Sequence, residues 1–117
     1  MRTIKFRAQD IASNKWLYGD LRHHKDDVCI FEQGGTKGEQ VKRDTIGQFV
    51  GLKDKNGKEI YEGDVFHLGD PNILYVVQIE DCGFKGKQVG SSSYVGLTYW
   101  IDKITVVGNI FDTMFAK

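Results

Sequence analysis

The chain has 117 residues, and its 16 basic and 16 acidic side chains leave it with no net charge. This balance argues against a dedicated duplex-binding domain, whose affinity comes largely from massed positive charge. Apolar residues make up 40% of the sequence, which is enough to build the core of one domain over residues 1–117. No apolar run approaches the roughly 20 residues of a membrane span, and the N-terminus lacks the apolar core of a signal peptide. We therefore expect a cytoplasmic protein without membrane contacts.

The distribution of glycine predicts the fold class. Glycine occurs 14 times and proline once, and the glycines are scattered between short runs of Val, Ile, Tyr, Phe and Trp. Short apolar runs separated by glycine are typical of many short strands joined by tight turns. We predict a mainly β domain with little helix and about eight or nine strands. The strands would form either two small packed sheets or a partly open barrel.

In the first part of the chain, strands are predicted at residues 3–8, 16–18 and 28–31. The period of two over residues 3–8 places Lys5 and Arg7 on one face of the first strand and Phe6 on the other. Gly19-Asp20 is expected to end the second strand. Residues 33–39 read as a glycine-rich loop, and residues 41–48 fit either one helical turn or an irregular strand.

A hairpin turn is predicted around Asn56-Gly57, with two possible registers. A two-residue turn would place like charges opposite each other, namely Lys55 against Lys58 and Asp54 against Glu59. A turn with Gly57 as a left-handed bulge residue instead pairs Asp54 with Lys58 and Lys53 with Glu59. Opposite charges across strands stabilise by roughly 0.2–1 kcal/mol and facing like charges destabilise, so the bulged turn is favoured.

The turn residues predicted to have a structural role are Asp54, Asn56, Gly57, Gly63 and Asp64. Asp at the start of a turn bonds nearby backbone amides, and Asn and Gly tolerate backbone angles that most residues avoid. A similar order of residues occurs at 10–20, from Asp10 through Asn14-Lys15 to Gly19-Asp20. We interpret the likeness as two hairpins with the same turn chemistry, and a duplicated hairpin unit is the alternative.

In the second part of the chain, strands are predicted at residues 65–68, 73–80 and 104–111, with a bulge at Gly108 in the last one. Residues 81–83 are expected to turn, and residues 86–93 to form a loop. Residues 94–101 fit a strand or a short helix.

Side chains that could support catalysis or metal binding are few. His23 and His24 are adjacent, so on a strand they point to opposite faces and would not converge on one ion. Asp20 and Asp64 each follow a glycine in a predicted turn, where bonding to local amides is more common than acid–base work. Cys29 and Cys82 match neither a disulfide framework nor a metal site. We therefore predict no metal, no cofactor and no enzymatic activity.

Two groups of residues could bind macromolecules. Tyr94, Tyr99 and Trp100 are residue types that anchor protein interfaces, and core packing is the alternative role for them. Lys5, Arg7 and Lys15 lie near Trp16 and could form a basic strand face with a stacking aromatic ring, as single-stranded nucleic acid requires.

Three segments carry a family resemblance: Lys5-Phe6-Arg7-Ala8, the run GLKDKNGKEIYEGDV at 51–65, and ITVVGNIF at 104–111. Together, and in this order, they resemble the YopX-like family of small proteins found in bacteriophages and prophages. The resemblance implies a phage accessory protein without an assigned reaction that is prone to form homo-oligomers, and it brings no catalytic residue with it.

The sequence thus leads to two functional hypotheses. The first is a non-enzymatic accessory protein that associates with itself and contacts a host or phage protein. Residues 1–58 carry 12 basic and 8 acidic side chains and residues 59–117 carry 4 and 8, which suits a head-to-tail contact between copies. The alternative is a small nucleic-acid-binding regulator.

Overall fold

The computed structural model describes residues 4–32, 38–80 and 83–111. The chain divides into two compact units, Met1–Phe49 and Val50–Lys117. The described strands form two antiparallel sheets, one of six strands and one of five, and neither closes into a barrel. The mainly β prediction is confirmed in its two-sheet form. The prediction of one domain over residues 1–117 stays a prediction.

The first unit is built from four short strands and the start of a fifth. They are β1 (Phe6–Gln9), β2 (Trp16–His24), β3 (Asp27–Phe31), β4 (Gly38–Gln40) and β5 (Gly47–Lys53), with a 3₁₀ turn at Arg43–Thr45. Their order in the six-stranded sheet is β4-β3-β2-β1-β5, followed by the sixth strand described below. Ala8, Val28, Ile30 and Val41 form the buried core of this unit, against which Phe6, Leu17, Leu21 and Ile46 pack.

Strand β2 is longer than predicted, because Gly19 does not end it. Gly19 lies opposite Phe6 on β1, and a Cβ at this position would lie 2.1 Å from the Phe31 carbonyl oxygen. Gly19 therefore permits the close approach of β3, and the prediction of a strand end at Gly19-Asp20 is wrong. Residues 41–48 contain both predicted alternatives, a 3₁₀ turn followed by a strand. Most of the predicted loop, residues 33–37, lies outside the described residues.

The second unit contains the remaining strands. They are β6 (Glu59–Tyr61), β7 (Asp64–His67), β8 (Tyr75–Glu80), β9 (Gly83–Gln88), β10 (Tyr94–Gly96) and β11 (Thr105–Asn109), with a 3₁₀ turn at Ile101–Lys103. Strand β6 pairs with β5 at the edge of the six-stranded sheet, and the others form the five-stranded sheet in the order β10-β9-β8-β7-β11. The core of this unit is formed by Val50, Ile60, Phe66, Val77, Leu97, Ile104 and Val106.

The five-stranded sheet differs from the sequence prediction at β9. Residues 83–88 form a strand, where a loop was expected from residue 86, because Gly86 faces the core directly beneath Phe66. Residues 94–101 form a three-residue strand and a turn, and the last of them begins the 3₁₀ turn at Ile101–Lys103. The bulge in β11 is confirmed, since its register against β7 shifts between Val106 and Gly108. The described residues contain eleven strands rather than eight or nine, because β4, β6 and β10 have only three residues each.

Candidate functional site

The hairpin between β5 and β6 has the bulged turn. The Asp54 amide donates to the Lys58 carbonyl over 2.8 Å, and the Gly57 amide donates to the Asp54 carbonyl over 2.9 Å. Gly57 has a φ of 83°, which glycine adopts without the Cβ strain that other residues incur. The register is therefore the one that pairs Asp54 with Lys58.

The Asp54 carboxylate is buried and is fully engaged with the main chain. Its Oδ1 accepts hydrogen bonds from the Asn56 and Lys58 amides, both over 2.9 Å. Its Oδ2 accepts a hydrogen bond from the Val106 amide over 3.0 Å, and the side chain is 6% exposed. Beside it, the Lys55 amide donates to the Ile104 carbonyl over 3.0 Å. Asp54 thus joins the hairpin turn to β11 across 52 positions of sequence.

Asp64 has a comparable role in the turn between β6 and β7. It is 1% exposed, and its Oδ2 accepts a hydrogen bond from the Tyr61 amide over 2.7 Å. Gly63, with a φ of 92°, makes the turn, and its amide donates to the Val77 carbonyl over 2.9 Å. Asp20 differs from both, because it is exposed and its carboxylate lies 3.7 Å from the Arg22 guanidinium.

The turn between β1 and β2 also opens on an aspartate. The Asp10 amide donates to the Lys15 carbonyl over 2.8 Å, and Asn14 has a φ of 62°. Asp10 Oδ2 accepts hydrogen bonds from the Ser13 hydroxyl over 2.6 Å and from the Ser13 amide over 3.0 Å. These bonds, the hydroxyl first, hold the pKa of Asp10 below its usual value because they stabilise the ionised carboxylate.

Metal-ligating side chains do not converge in the parts of the chain that the structure describes: no three His, Cys, Asp or Glu side chains come together there. His23 is exposed, and Cys29 is a half-buried free thiol on β3 opposite Arg22. Cys82 lies outside the described residues.

One face of the sheet in the first unit carries aromatic and basic side chains together. Strand registers place Arg7 opposite Tyr18, Gln9 opposite Trp16, and Arg22 opposite Cys29. We call this surface the aromatic–basic face and define it by Lys5, Arg7, Trp16, Tyr18, Arg22 and Phe31. The opposite face carries Phe6, Ala8, Leu17 and Leu21 and belongs to the core.

Cations on the aromatic–basic face lie over aromatic rings. The Arg22 guanidinium is 4.3 Å from the centroid of the Phe31 ring, and the Arg7 guanidinium is 4.9 Å from the centroid of the Trp16 ring. The Lys5 ammonium lies 5.1 Å from the centroid of Phe49. Such contacts hold a guanidinium flat and in place.

The predicted nucleic-acid contacts differ in their exposure. Lys5 and Arg7 share a face opposite Phe6, as predicted, but Arg7 is only 5% exposed. Lys15 is exposed in the turn just before β2. The sequence prediction did not include Arg22, because a strand end was assumed at Gly19, and it did not single out Tyr18 or Phe31, although both lie in predicted strands. The alternation of Leu17 and Leu21 with Trp16, Tyr18 and Arg22 was the sequence signal that these three side chains share the face away from the core.

The three predicted interface aromatics occupy different environments. Tyr94 is exposed on β10, opposite Lys87 of β9. Trp100 is half-buried and packs against the core of the second unit, whereas Tyr99 is 83% exposed. The Tyr99 and Trp100 rings contact each other edge to face, with centroids 5.1 Å apart and planes at 75°.

A cavity of about 350 Å³ lies in the first unit, with Ile11, Val28 and Val41 among its lining residues. Two cations at this cavity are engaged within the protein: the Lys42 ammonium donates to Asn14 Oδ1, and the Arg43 guanidinium donates to the Asp26 carbonyl. In the second unit, a smaller cavity of about 200 Å³ is lined by Val50, Leu52, Phe84, Leu97 and Thr98.

The fold and these sites define a class: a small all-β protein whose buried aspartates organise its turns. Within that class, the chain belongs to the YopX family, whose model, described as YopX protein, matches residues 5–114. The crystal structure of protein EF1440 from Enterococcus faecalis is similar, with a TM-score of 0.60 and 22% identity over 99% of this chain and 100% of that one. At this identity the likeness concerns the fold. No curated protein matches the chain.

The helical content of the described residues consists of two 3₁₀ turns, and none of the described helices has the length and apolarity to cross a membrane.

Proposed function

We propose that this protein is a non-enzymatic accessory protein of a phage or prophage that associates with copies of itself and acts by binding protein. Membership of the YopX family supports this proposal, since the resemblance implies both the phage setting and homo-oligomers. The proposal places it in the cytoplasm of the bacterial host, without a cofactor and with a host or phage protein as a further partner.

The observation that carries the proposal is the Tyr99–Trp100 pair. Tyr99 is 83% exposed, and its ring contacts Trp100, which packs against the core. A large amphipathic ring supported by a packed neighbour loses little conformational freedom when it is buried by a partner. Tyrosine and tryptophan in this arrangement are typical of the residues that dominate interface energetics.

A second copy of the chain is the partner that we propose for this surface. The large exposed apolar side chains of the described residues belong mostly to the second unit, where they are Ile73, Ile79, Val89, Tyr94, Tyr99, Val107 and Ile110. The two units also differ in charge: Met1–Phe49 holds nine basic and seven acidic residues, and Val50–Lys117 holds seven and nine. Opposite net charges favour a head-to-tail contact between copies, and the proposal places Tyr99 of one copy against a surface of the next copy's first unit other than the strand face that carries Tyr18.

The environments of the buried aspartates support the non-enzymatic part of the proposal. A general base needs a lone pair that reaches the substrate. Both oxygens of Asp54 already accept backbone amides, and Asp64 is buried within its turn.

The test is the molar mass in solution, measured by sedimentation equilibrium over the micromolar range. We expect the wild-type protein to form a closed oligomer, and Tyr99→Ser to weaken its association about tenfold or more, as removal of an interface anchor does. Tyr18→Ser, an exposed tyrosine of the first unit, is the control and should leave the association unchanged. A wild-type protein that stays monomeric at high micromolar concentration contradicts the proposal.

A further inference from the structure

We infer that the aromatic–basic face of the first unit binds single-stranded nucleic acid, with Tyr18 and the Arg22–Phe31 pair as its stacking platforms. This inference concerns a different surface from the proposed self-association and does not depend on it. It also differs from the sequence prediction, because it rests on Tyr18, Arg22 and Phe31 rather than on Arg7.

The geometry provides planar surfaces for bases. Arg22 is exposed, and its guanidinium lies over the Phe31 ring at 4.3 Å from the ring centroid. Bases stack on guanidinium planes as well as on aromatic rings, and the same guanidinium can donate to a phosphate. Tyr18 is 44% exposed and adds a second ring on the neighbouring part of β2.

The face is rigid because strands position it. Tyr18 and Arg22 share β2, which pairs with β1 on one side and with β3 on the other. Gly38 on β4 lies directly against Phe31, since a Cβ there would be 2.4 Å from the Phe31 ring. Because Gly38 has no side chain, the Phe31 ring can occupy the space beside it and beneath Arg22.

The net charge of the face is small and positive, which fits a polyanion that can be bound without many positive charges. Lys5 and Arg22 are opposed by Asp20, which pairs with Arg22 at 3.7 Å, and by Asp27, which accepts a hydrogen bond from Gln40. Exposed Lys15 adds a cation just before β2. Binding of single strands depends on base stacking, whereas binding of duplexes depends on many positive charges. A small excess of positive charge together with several flat side chains therefore favours single strands.

The test is the fluorescence anisotropy of a labelled oligothymidylate of about 20 nucleotides, long enough for several bases to stack. The Trp100→Phe variant leaves Trp16 as the single tryptophan of the chain, so quenching of its emission reports binding at this face. We expect Tyr18→Ala to lower the affinity about tenfold, in the range of one lost base–aromatic stack. Tyr94→Ala is the matched control, since Tyr94 is 43% exposed on a strand of the other unit, and it should leave the affinity within about twofold.

Variants of Arg22 separate charge from stacking. Arg22→Ala should reduce the slope of log affinity against log salt by about 0.7, the effect of one lost phosphate contact on a single strand. Arg22→Lys should keep the slope and still lower the affinity, because an ammonium has no flat surface for a base. Tyr18 and Arg22 are exposed, so we expect their variants to fold. A cooperative thermal unfolding transition is the check that each variant is folded.

Three outcomes would overturn the inference: absence of oligothymidylate binding by the wild-type protein, equal losses for Tyr94→Ala and Tyr18→Ala, or equally strong binding of polyglutamate. The last outcome would assign the face to an acidic protein. Sedimentation of the same variants keeps the two proposals apart, because Tyr18→Ala should leave the oligomeric state unchanged whichever way the nucleic-acid test ends.

Discussion

The Asp54 side chain shows how a buried charge can serve the main chain. Its two oxygens accept three backbone amides, two from its own turn and one from Val106 on β11. Hydrogen bonds to a charged acceptor are stronger than neutral ones, and burial makes their loss costly. The carboxylate therefore fixes both the turn and the position of β11 against it.

Replacing Asp54 by asparagine tests this role. Asparagine keeps one acceptor oxygen but presents an amide donor to the remaining N–H groups, so at least one buried donor loses its partner. We expect Asp54→Asn to lower the free energy of unfolding by about 2–4 kcal/mol, measured by urea denaturation. Asp20→Asn, which removes an exposed charge 3.7 Å from Arg22, is the control and should change it by less than about 0.5 kcal/mol. Equal effects of the two substitutions would show that Asp54 contributes no more than a surface charge.

Sequence reasoning reached only the local half of this arrangement. An aspartate opening a turn bonds amides two to four residues later, and this follows from backbone geometry alone. The bond to Val106 depends on which strand packs beside the hairpin, and a partner 52 positions away leaves no local pattern. Asp10, in contrast, bonds to Ser13 and Lys15, which are both close to it in sequence, so its contacts follow from the local pattern.

At the level of the strands, glycines mark places where two strands or a strand and a ring come close. Gly86 on β9 lies beneath Phe66, which stacks on Tyr75 with ring centroids 5.3 Å apart. A Cβ at Gly86 would lie 2.5 Å from Phe66 Cζ, a distance that real Cβ contacts do not show. The glycine is thus complementary in shape to the largest apolar ring of this core.

A double-substitution experiment tests that complementarity. We expect Gly86→Ala to destabilise the protein by about 1–3 kcal/mol through overpacking. In Gly86→Ala with Phe66→Leu, the new methyl group enters space that the ring has left, so the combined loss should be smaller than the sum by about 0.5–3 kcal/mol. Gly96→Ala on neighbouring β10 is the control, because a Cβ there meets nothing within 4 Å. Strict additivity of the two substitutions would refute the contact.

Strand prediction failed where glycine had this packing role. Gly19 and Gly86 were interpreted as a strand end and as loop residues, because glycine is poor in strands on average. In both cases the strand continues, and the glycine is required by a carbonyl or a ring on a neighbouring strand. The segments without glycine were predicted more closely: β3 and β8 match to within two residues, and β1 begins three residues later than predicted. The aromatic–basic face was predicted only in part, from Lys5, Arg7 and Trp16, because the strand end assumed at Gly19 left out Arg22.

At the level of the whole molecule, the fold has two cores and one continuous strand between them. Ala8, Val28, Ile30 and Val41 form the first core, and the second contains Ile104 and Phe66. Strand β5 begins in the first unit, where Gly47 pairs with Arg7, and ends in the second, next to the Asp54 turn. Strand β5 is therefore continuous in sequence across the boundary between the two units.

We therefore expect the two units to unfold in a single transition. The only two tryptophans of the chain, Trp16 and Trp100, lie in different units, so Trp16→Phe and Trp100→Phe provide one fluorescent reporter for each. Both reporters should give the same urea midpoint, as two-state unfolding requires. Ile104→Ala, which opens a cavity in the second core, should cost about 2–5 kcal/mol and lower the midpoint reported by Trp16 as well. Ile30→Ala is its counterpart in the first core and should lower the midpoint reported by Trp100. If each substitution moves only the reporter of its own unit, the units unfold independently and β5 does not couple them.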